Sequence, residues 1–538
     1  MPNLTRDQFI SIARAEPGII AIPLGVRLLA DQLTPVLAYR RLVSADDRAA
    51  PSFLLESVEG GERQGRHSIL GAQPIAEIAA RRNSVRIARL GAESARILEG
   101  RAVAFESADP LEVLRESIRG IRLVRPTGPR SLLPSCVLGG LFGFAGYDTV
   151  RYAEPEKLGF DRAPRDDREL PDLHFGLYDG VVVFDHVDKL VHVVQLALVW
   201  PGDDPARAYD HALAKVERRA TEIQRHSKPL PAGRVSAEGV RAALLSNITR
   251  EEHAGIVARA KEYIRAGDIF QVVLGQRFER RSTADPFDVY RALRAVNPSP
   301  YMVYMQGPGC ILVASSPEIL CRVSFVTSSP RPSVLAPLLM TNRPLAGTRR
   351  RGATPEEDVA LERELLADPK ERAEHIMLVD LGRNDVGRVC VPGSIALPRV
   401  MEVERYSHVM HISSTVTGEL RTGLDAWDAL RAALPVGTIS GAPKIRAMQV
   451  IDELEPMRRG PYGGGMGYVG LDGQMDIALA LRTMVVPTAL HEAGRWTYHL
   501  QAAGGIVADS EAGAEYEETV NKAAALARAI DLAERAFA

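Results

Sequence analysis

The chain has 538 residues and a formal net charge of −2, and 46% of its residues are hydrophobic while 25% are charged. This length exceeds one ordinary hydrophobic core, so two or three domains are expected. The lack of a basic excess argues against nucleic acid as a main partner. Four cysteines without C-x-x-C spacing indicate reduced thiols. No apolar run approaches 18 residues and no secretory leader is visible, so we expect a cytoplasmic protein that does not cross a membrane.

The N-terminal part mixes short helices and strands. Thr5 is a candidate cap for a helix ending at Ala15, and a second helix is expected over 209–224. Strands are expected over 36–42 and 52–57, and a hairpin over 178–199. The sequence at 227–235 is rich in proline and glycine, which is typical of a linker. It predicts an N-terminal region at 1–226 and a C-terminal domain at 236–538.

The C-terminal part also combines both element types. Thr249 and Glu252 form a candidate capping box for a helix. A proline-rich stretch at 326–343 resembles an irregular insertion. Helices are expected over 249–266, 286–296, 353–382 with a break at Pro369, 438–454 and 510–538, and strands over 269–278, 477–486 and 496–505. Regular βαβ alternation is missing, so the predicted fold class is α+β.

Two Glu-x-x-Glu pairs are the first candidates for chemistry. Glu371 and Glu374 start one predicted helix, and Glu515 and Glu518 start another. Residues at this spacing share a helix face, and two adjacent carboxylates repel unless a cation lies between them. Acidic first turns are also common for the simpler reason that they suit the helix dipole. The recurrence of the pair favours a Mg²⁺ site over a di-iron site, which would need Glu-x-x-His on two helices.

A histidine and an arginine interrupt apolar strands. His411 shares a strand face with Val409 and Ser413, which favours a site, although a lone histidine is more often structural. Arg482 lies within the apolar run at 478–486, where its guanidinium needs either a structural carboxylate or the carboxylate of a substrate. Glycine clusters at 435–441 and 462–465 could bind anions or could be ordinary turns.

Several blocks, taken in order, resemble the motifs of the chorismate-utilising enzymes. They are RPLAGTRRRG at 343–352, ERAEHIMLVDLGRND at 371–385, HVMHISSTVTG at 408–418, PVGTISGAPK at 435–444, PYGGGMGYVG at 461–470, LALRT at 479–483 and AGGIVADS at 503–510. The blocks LLES at 54–57, GGLFGFAGYD at 139–148 and NPSPYM at 297–302 further resemble the large subunits of the anthranilate synthase family. The resemblance implies two large, mostly antiparallel sheets packed face to face, with helices outside.

The resemblance also implies roles for individual residues. Mg²⁺ would be held directly by Glu374 and Glu518, with Glu371 and Glu515 supporting them. Glu318 would be the general acid, and the other catalytic positions would be Gln271, His411 and Thr438. Chorismate would be bound by Gly347, Thr348, Tyr462, Arg482, Ala503, Gly504 and Gly505.

Two positions indicate which reaction of the family the chain performs. Relatives that add water use a lysine base where this chain has Gln271, an amide that cannot deprotonate water. Para-aminating relatives carry a nucleophilic lysine where this chain has Ala346. The pattern favours direct attack of ammonia on C2 of chorismate to give anthranilate, the first committed step of tryptophan biosynthesis. The alternatives are an aminodeoxychorismate synthase component I that lacks the lysine and a non-catalytic sensor of chorismate or tryptophan.

The resemblance implies two further partners. No class I amidotransferase signature is visible, so ammonia would come from a separate glutamine amidotransferase subunit, component II. Tryptophan would act as a feedback inhibitor bound to the N-terminal regulatory region and its surroundings. The implied effector residues are Ser57, Pro300, Tyr301, Met302, Met466 and Tyr468.

Overall fold

The structure is a computed structural model that describes residues 2–43, 47–59, 63–126, 133–225, 230–234, 244–326, 337–406, 409–435 and 437–537. Its α-helices are α1 Arg6–Ala15, α2 Pro35–Leu42, α3 Ala92–Ile97, α4 Pro110–Ile118, α5 Val150–Ala153, α6 Pro205–Gln224, α7 Arg250–Arg265, α8 Pro286–Val296, α9 Pro355–Ala367, α10 Pro369–Gly387, α11 Ala426–Ala433, α12 Gly437–Ser440, α13 Lys444–Leu454 and α14 Ala512–Ala536. In this part of the chain no helix is long and apolar enough to span a membrane.

The strands are short and numerous. They are β1 Ile19–Leu29, β2 Ser52–Glu56, β3 Val58–Glu59, β4 Arg63–Gln64, β5 His67–Ala72, β6 Ala76–Arg81, β7 Ser84–Arg89, β8 Ala104–Glu106, β9 Ile121–Leu123, β10 Gly140–Ala145, β11 Leu173–Tyr178, β12 Gly180–Asp185, β13 Leu190–Val199, β14 Leu245–Ser246, β15 Gln271–Ser282, β16 Tyr301–Gly307, β17 Cys310–Ser316, β18 Ile319–Phe325, β19 Leu338–Arg343, β20 Leu345–Arg350, β21 Ala396–Arg405, β22 Val409–Glu419, β23 Gly441–Ala442, β24 Gly465–Gly470, β25 Met475–Leu479, β26 Thr483–Pro487 and β27 Trp496–Ile506.

Nearly all strands join two large sheets. The first runs β14-β15-β27-β26-β17-β16-β2-β5-β12-β13-β1-β9, with β23 beside β15. The second runs β20-β22-β19-β18-β25-β24-β10-β11-β6-β7-β8, with β21 beside β22. Strands β1 and β9 are parallel, and the long pairs on either side of the active-site residues, such as β15–β27 and β20–β22, are antiparallel.

The two sheets pack face to face, and helices cover their outer faces. Phe53 of β2 stacks on Phe142 of β10, with ring centroids 4.1 Å apart, inside an apolar cluster fed by both sheets. A second cluster joins the other face of the first sheet to α1, α2, α6, α8 and α14. A third joins the second sheet to α4 and α11. The predicted α+β class and its face-to-face sheets are therefore confirmed.

Local signals located most helices. Thr5 and Thr249 cap α1 and α7 through complete capping boxes, and α8 has the expected bounds. The strand predicted over 36–42 is wrong: this segment is α2, because the Thr34 hydroxyl accepts the Leu37 amide and a proline occupies the first helical position. The helix predicted over 438–454 is interrupted, since the two-residue strand β23 separates α12 from α13.

The N-terminal and C-terminal segments share both sheets. Strand β2 pairs with β16, and β10 pairs with β24, so each sheet crosses the division predicted from the sequence. The division into 1–226 and 236–538 stays a prediction. Residues 226–229 and 235–243 lie outside the described residues, as do 327–336 of the proline-rich stretch and His408.

Candidate active site

One group of predicted site residues lies on strands β15 and β27, near one edge of the first sheet. In the β15–β27 pair, Val273 faces Gly505 and Leu274 faces Gly504. A Cβ at Gly505 would lie 2.6 Å from Nε2 of Gln271, so a larger residue would push this amide out of its present position. The backbone of β27 can therefore approach the side chains that surround it closely.

Both Glu-x-x-Glu pairs converge on that glycine edge. Helix α10 carries Glu374, whose Oε1 accepts a hydrogen bond of 3.1 Å from Nε2 of Gln271. Helix α14 carries Glu515 and Glu518, whose carboxylates lie 3.0 and 3.9 Å from a Cβ placed on Gly504. Two helices far apart in sequence thus bring their acidic faces to one place, as the repeated spacing predicted.

The charges of this acidic cluster are not balanced within it. Burial raises the pKa of Glu374, and the carboxylates of Glu371 and Glu518 raise it further. Burial also raises the pKa of Glu515, which a hydrogen bond with Ser510 partly offsets, and its Oε2 is buried with no hydrogen-bond partner among the described residues. In the described residues no ready-made group of three or more metal-ligating side chains surrounds one point. An oxygen-liganded cation that also binds water or substrate fits this incomplete, all-carboxylate set.

Two cations beside the cluster were missed by the sequence analysis. Nζ of Lys522 lies 2.6 Å from Glu518 and donates to the Ala503 carbonyl at 2.8 Å. Nη1 of Arg349 lies 3.1 Å from Glu371. Lys522 follows Glu518 at i+4, a spacing that predicts contact on a helix and could have identified it.

Glu318 and Thr438 come from distant segments and meet directly. The Thr438 hydroxyl donates to Oε1 of Glu318 at 2.8 Å. Glu318 is 3% exposed, and this burial raises its pKa to about 8. A carboxyl group with such a pKa is protonated at neutral pH, as the predicted general acid requires.

His411 is held in a neutral form with a fixed tautomer. In the β20–β22 pair it lies opposite Thr348, and its Nδ1 is 3.0 Å from both the Gly347 carbonyl and the Thr348 hydroxyl. The carbonyl can only accept, so Nδ1 carries the proton and Nε2 has a free lone pair. Burial and the nearby charge of Arg482 lower the pKa of His411 to about 4.

Arg482 and Tyr462 face each other near His411. Burial lowers the pKa of Arg482, and its guanidinium makes no ion pair or hydrogen bond to any other residue that the structure describes. Its backbone has a φ of 47°, a left-handed conformation that is uncommon outside glycine. Tyr462 is buried beside it, and the Ala503 backbone approaches the Tyr462 hydroxyl. An unpaired guanidinium here suits a carboxylate ligand.

The predicted effector residues lie mostly between the sheets. Tyr301 and Tyr468 border the inter-sheet cluster that contains Met466, and the Tyr301 hydroxyl donates to Asp476 at 2.9 Å. Ser57 follows β2, which pairs with β16, and Pro300 directly precedes β16. The Met302 side chain is separated from the others, because it is buried in the cluster on the helix-covered face. Arg322, which binds both Tyr301 and Asp476, was missed by the sequence analysis.

Comparisons with known proteins identify the family to which the chain belongs. The family model for chorismate binding enzymes matches residues 51–528. Anthranilate synthase alpha subunit 1, chloroplastic, from Oryza sativa subsp. indica is 51% identical, over 98% of this chain and 90% of the relative. Anthranilate synthase component 1 from Pseudomonas aeruginosa is 44% identical, over 99% of both chains.

Solved structures show the same fold. Anthranilate synthase component I from Streptococcus pneumoniae has a TM-score of 0.69 at 34% identity, over 93% of this chain and 99% of the other. The menaquinone-specific isochorismate synthase from Escherichia coli has a TM-score of 0.63 at 17% identity, over 98% of both chains, and supports the fold alone. The chain therefore belongs to the chorismate-binding enzymes and, within them, to the anthranilate synthase component I family.

Proposed function

We propose that this chain converts chorismate and ammonia into anthranilate, pyruvate and water at the site described above. The observation that carries the proposal beyond family membership is the Gln271 amide, which donates its hydrogen bond to Glu374. A neutral amide held in this way cannot activate water, whereas ammonia needs no activation. Ala346, buried in β20, likewise offers no amine for a covalent ring adduct.

Mg²⁺ is the proposed cofactor. Glu374 and Glu518 are its proposed direct ligands, and Glu371 and Glu515 support them. The unbalanced carboxylates and the unpaired Oε2 of Glu515 support this assignment. When bound, the ion would neutralise the cluster and polarise a carboxylate of the substrate.

The carboxylates and ring of chorismate have candidate partners on the chain. Arg482 provides an unpaired guanidinium, with Tyr462 and the backbone at Ala503, Gly504 and Gly505 beside it. Gly347 and Thr348 are proposed to line the ring, since both contact His411.

The proposed reaction has two stages. Ammonia forms a bond to C2, and the C4 hydroxyl leaves as water with a proton from Glu318. The C2 proton and the enolpyruvyl group are then lost, giving anthranilate and pyruvate. Nε2 of His411 carries the free lone pair near the ring and is proposed to assist the loss of the proton.

Tryptophan inhibition and a glutaminase subunit complete the proposal. The inter-sheet region around Ser57, Tyr301, Met466 and Tyr468 is the proposed effector site. Ammonia would reach the site from a component II partner, and a cytoplasmic location stays a prediction. Neither partner is needed for the basic test of the reaction.

The test is an assay of the purified chain with chorismate, Mg²⁺ and ammonium salts at alkaline pH. We expect a product with the fluorescence and mass of anthranilate. Formation of para-aminobenzoate would instead support an aminodeoxychorismate synthase component I. Chorismate or tryptophan binding without turnover would support a sensor.

A further inference from the structure

Arg459 lies behind the active site and is the most completely bonded charged residue near it. Its side chain is 1% exposed. Nε and Nη2 donate to the two oxygens of Glu455 at 2.9 and 2.6 Å, and the guanidinium lies over the Tyr147 ring, 4.6 Å from its centroid. A bidentate, stacked guanidinium is rigid, which makes it a suitable fixed point for other groups.

The remaining donors of Arg459 reach two backbone segments that carry site residues. Nη1 donates to the Ile439 carbonyl at 2.7 Å, one residue after Thr438. Nη2 donates to the Val273 carbonyl at 2.7 Å, two residues after Gln271 in β15. Glu455 adds to this by accepting the Gly275 amide at 2.9 Å. One ion pair therefore ties α12 to the strand that borders the acidic cluster.

We infer that Arg459 is a positioning residue for the general acid: it fixes the α12 turn so that the Thr438 hydroxyl stays bonded to Glu318. This inference rests on the proposed function and adds to it a residue that does not touch the reacting atoms. Two further contacts restrain the turn. Gly437 packs closely against α10, since a Cβ at this position would lie 2.3 Å from Leu381, and Lys444 after the turn forms an ion pair with Asp385 of the same helix. The short strand β23, which follows α12, pairs with β15 at Gln271 and Val272, and Arg459 adds a side-chain link from α12 to the Val273 carbonyl of the same strand.

The inference predicts a specific effect on the pH dependence. The Thr438 hydrogen bond stabilises the ionised form of Glu318 and so opposes the effect of burial on its pKa. The other groups that face this carboxyl are the Leu345 amide and the Tyr406 phenol, which lies beside Glu404 and Arg343. Loss of the Thr438 bond should therefore move the alkaline limb of turnover to higher pH.

The experiment compares Arg459→Lys with Arg151→Lys in the full chain, using ammonia as nitrogen source. Arg151 is an equally buried, bidentate arginine that binds Asp452 and Asp148 but no backbone of the site. A lysine cannot bind a carboxylate in a bidentate way and span two carbonyls. For Arg459→Lys we expect kcat to fall about threefold to tenfold, no more than in Thr438→Val, KM for chorismate to change less than about threefold, and the alkaline limb to move upward. Arg151→Lys should leave the limb in place.

A double-mutant cycle with Thr438→Val decides whether Arg459 acts through Thr438. In the Thr438→Val background, Arg459→Lys should produce no further movement of the alkaline limb. An unmoved limb in Arg459→Lys, or the same movement in Arg151→Lys, would overturn the inference. If Arg459→Lys does not fold, Glu455→Gln is the substitute, and an unmoved limb in that variant would also overturn it. Failure of the wild-type chain to make anthranilate would instead reject the proposed function.

Discussion

Arg459 and Arg482 carry the same group beside one active site, yet their surroundings are opposite. Each of the three guanidinium nitrogens of Arg459 donates a hydrogen bond. The acceptors are the Glu455 carboxylate and the backbone carbonyls of Val273 and Ile439. Arg482 is only partly buried, and it has no ion-pair partner in the part of the chain that the structure describes. A guanidinium without a protein partner at such a place is suited to pairing with a carboxylate ligand.

The same contrast separates two carboxylate clusters. Asp148 and Asp452 each lie 2.7 Å from Arg151, and Arg458 forms a second ion pair with Asp148 at 3.1 Å. The acidic cluster on α10 and α14 has more negative than positive partners, and the pKa of Glu374 is raised by burial and by like charge. Matched charges stabilise the fold, whereas the unmatched charges lie where we propose that Mg²⁺ and the substrate bind.

The largest expected effect comes from removing a proposed metal ligand. Glu374→Gln or Glu518→Gln should lower ammonia-dependent turnover on the order of 10³-fold, because the proposed Mg²⁺ would lose one of its two direct carboxylate ligands. The measurement is kcat as a function of Mg²⁺ concentration. Glu517→Gln is the matched control, since Glu517 precedes Glu518 but forms an exposed ion pair with Arg250. Full activity of Glu374→Gln at saturating Mg²⁺ would refute the metal assignment.

Arg482 should affect substrate binding much more than stability. Arg482→Gln should raise KM for chorismate about 10- to 100-fold, the size expected from the loss of a charged hydrogen-bond pair. The free energy of unfolding should change by less than about 1 kcal/mol, because the guanidinium has no ion pair or hydrogen bond to lose among the described residues.

Substitution of Arg459, in contrast to that of Arg482, should affect stability strongly. Arg459→Met should lower the free energy of unfolding by about 3–5 kcal/mol, because Glu455 would stay buried without its partner. Chemical denaturation of both variants measures the difference. A large loss of stability in Arg482→Gln would show that its guanidinium has a structural partner instead of a ligand.

The fourth prediction concerns how turnover depends on pH, and its expected effect on kcat is smaller than that of removing a metal ligand. Burial raises the pKa of Glu318 to about 8, so this acid is protonated below that pH and ionised above it. Turnover, measured at saturating free NH₃, should therefore fall as the pH rises through about 8. Thr438→Val should lower kcat about fivefold to tenfold and move the fall to higher pH, because the carboxylate loses a hydrogen bond. A profile that is flat up to pH 9, or about one unit beyond that pKa, would argue against Glu318 as the acid.

The sequence predicts those features of the site that depend on local spacing. The i, i+3 pairs at Glu371 and Glu515 were visible because one helical turn aligns them, and Thr249 was visible as a cap because its partner is three residues away. The roles of single residues came from resemblance to a family. Neither local spacing nor family resemblance predicts that the carboxylates of the acidic cluster outnumber the cations beside them.

What the sequence could not predict depends on contacts between distant segments. Strand β2 pairs with β16, so the first sheet contains strands from both sides of the boundary suggested by the linker composition, and that boundary stays a prediction. The strand predicted over 36–42 is wrong because the apolar pattern of this segment suits a strand, whereas the cap at Thr34 stabilises a helix. Nothing near Thr438 in sequence indicates that Arg459 holds its turn, since the bond forms only in the folded chain.

In the inter-sheet region, as around Arg459, the charged groups are already paired with one another. Substitutions there should therefore have the smallest effects on ligand binding. Arg322, Asp476 and Tyr301 already bind one another, so a ligand gains little by replacing these bonds. Ser57→Ala should raise the inhibition constant for tryptophan about tenfold at most, through one lost hydrogen bond, with turnover unchanged when tryptophan is absent. Ser84→Ala, an exposed serine at the start of β7, is the control. Unchanged inhibition in Ser57→Ala would place tryptophan elsewhere, and a loss far above tenfold would show that this region has an unmatched polar group, as the active site does.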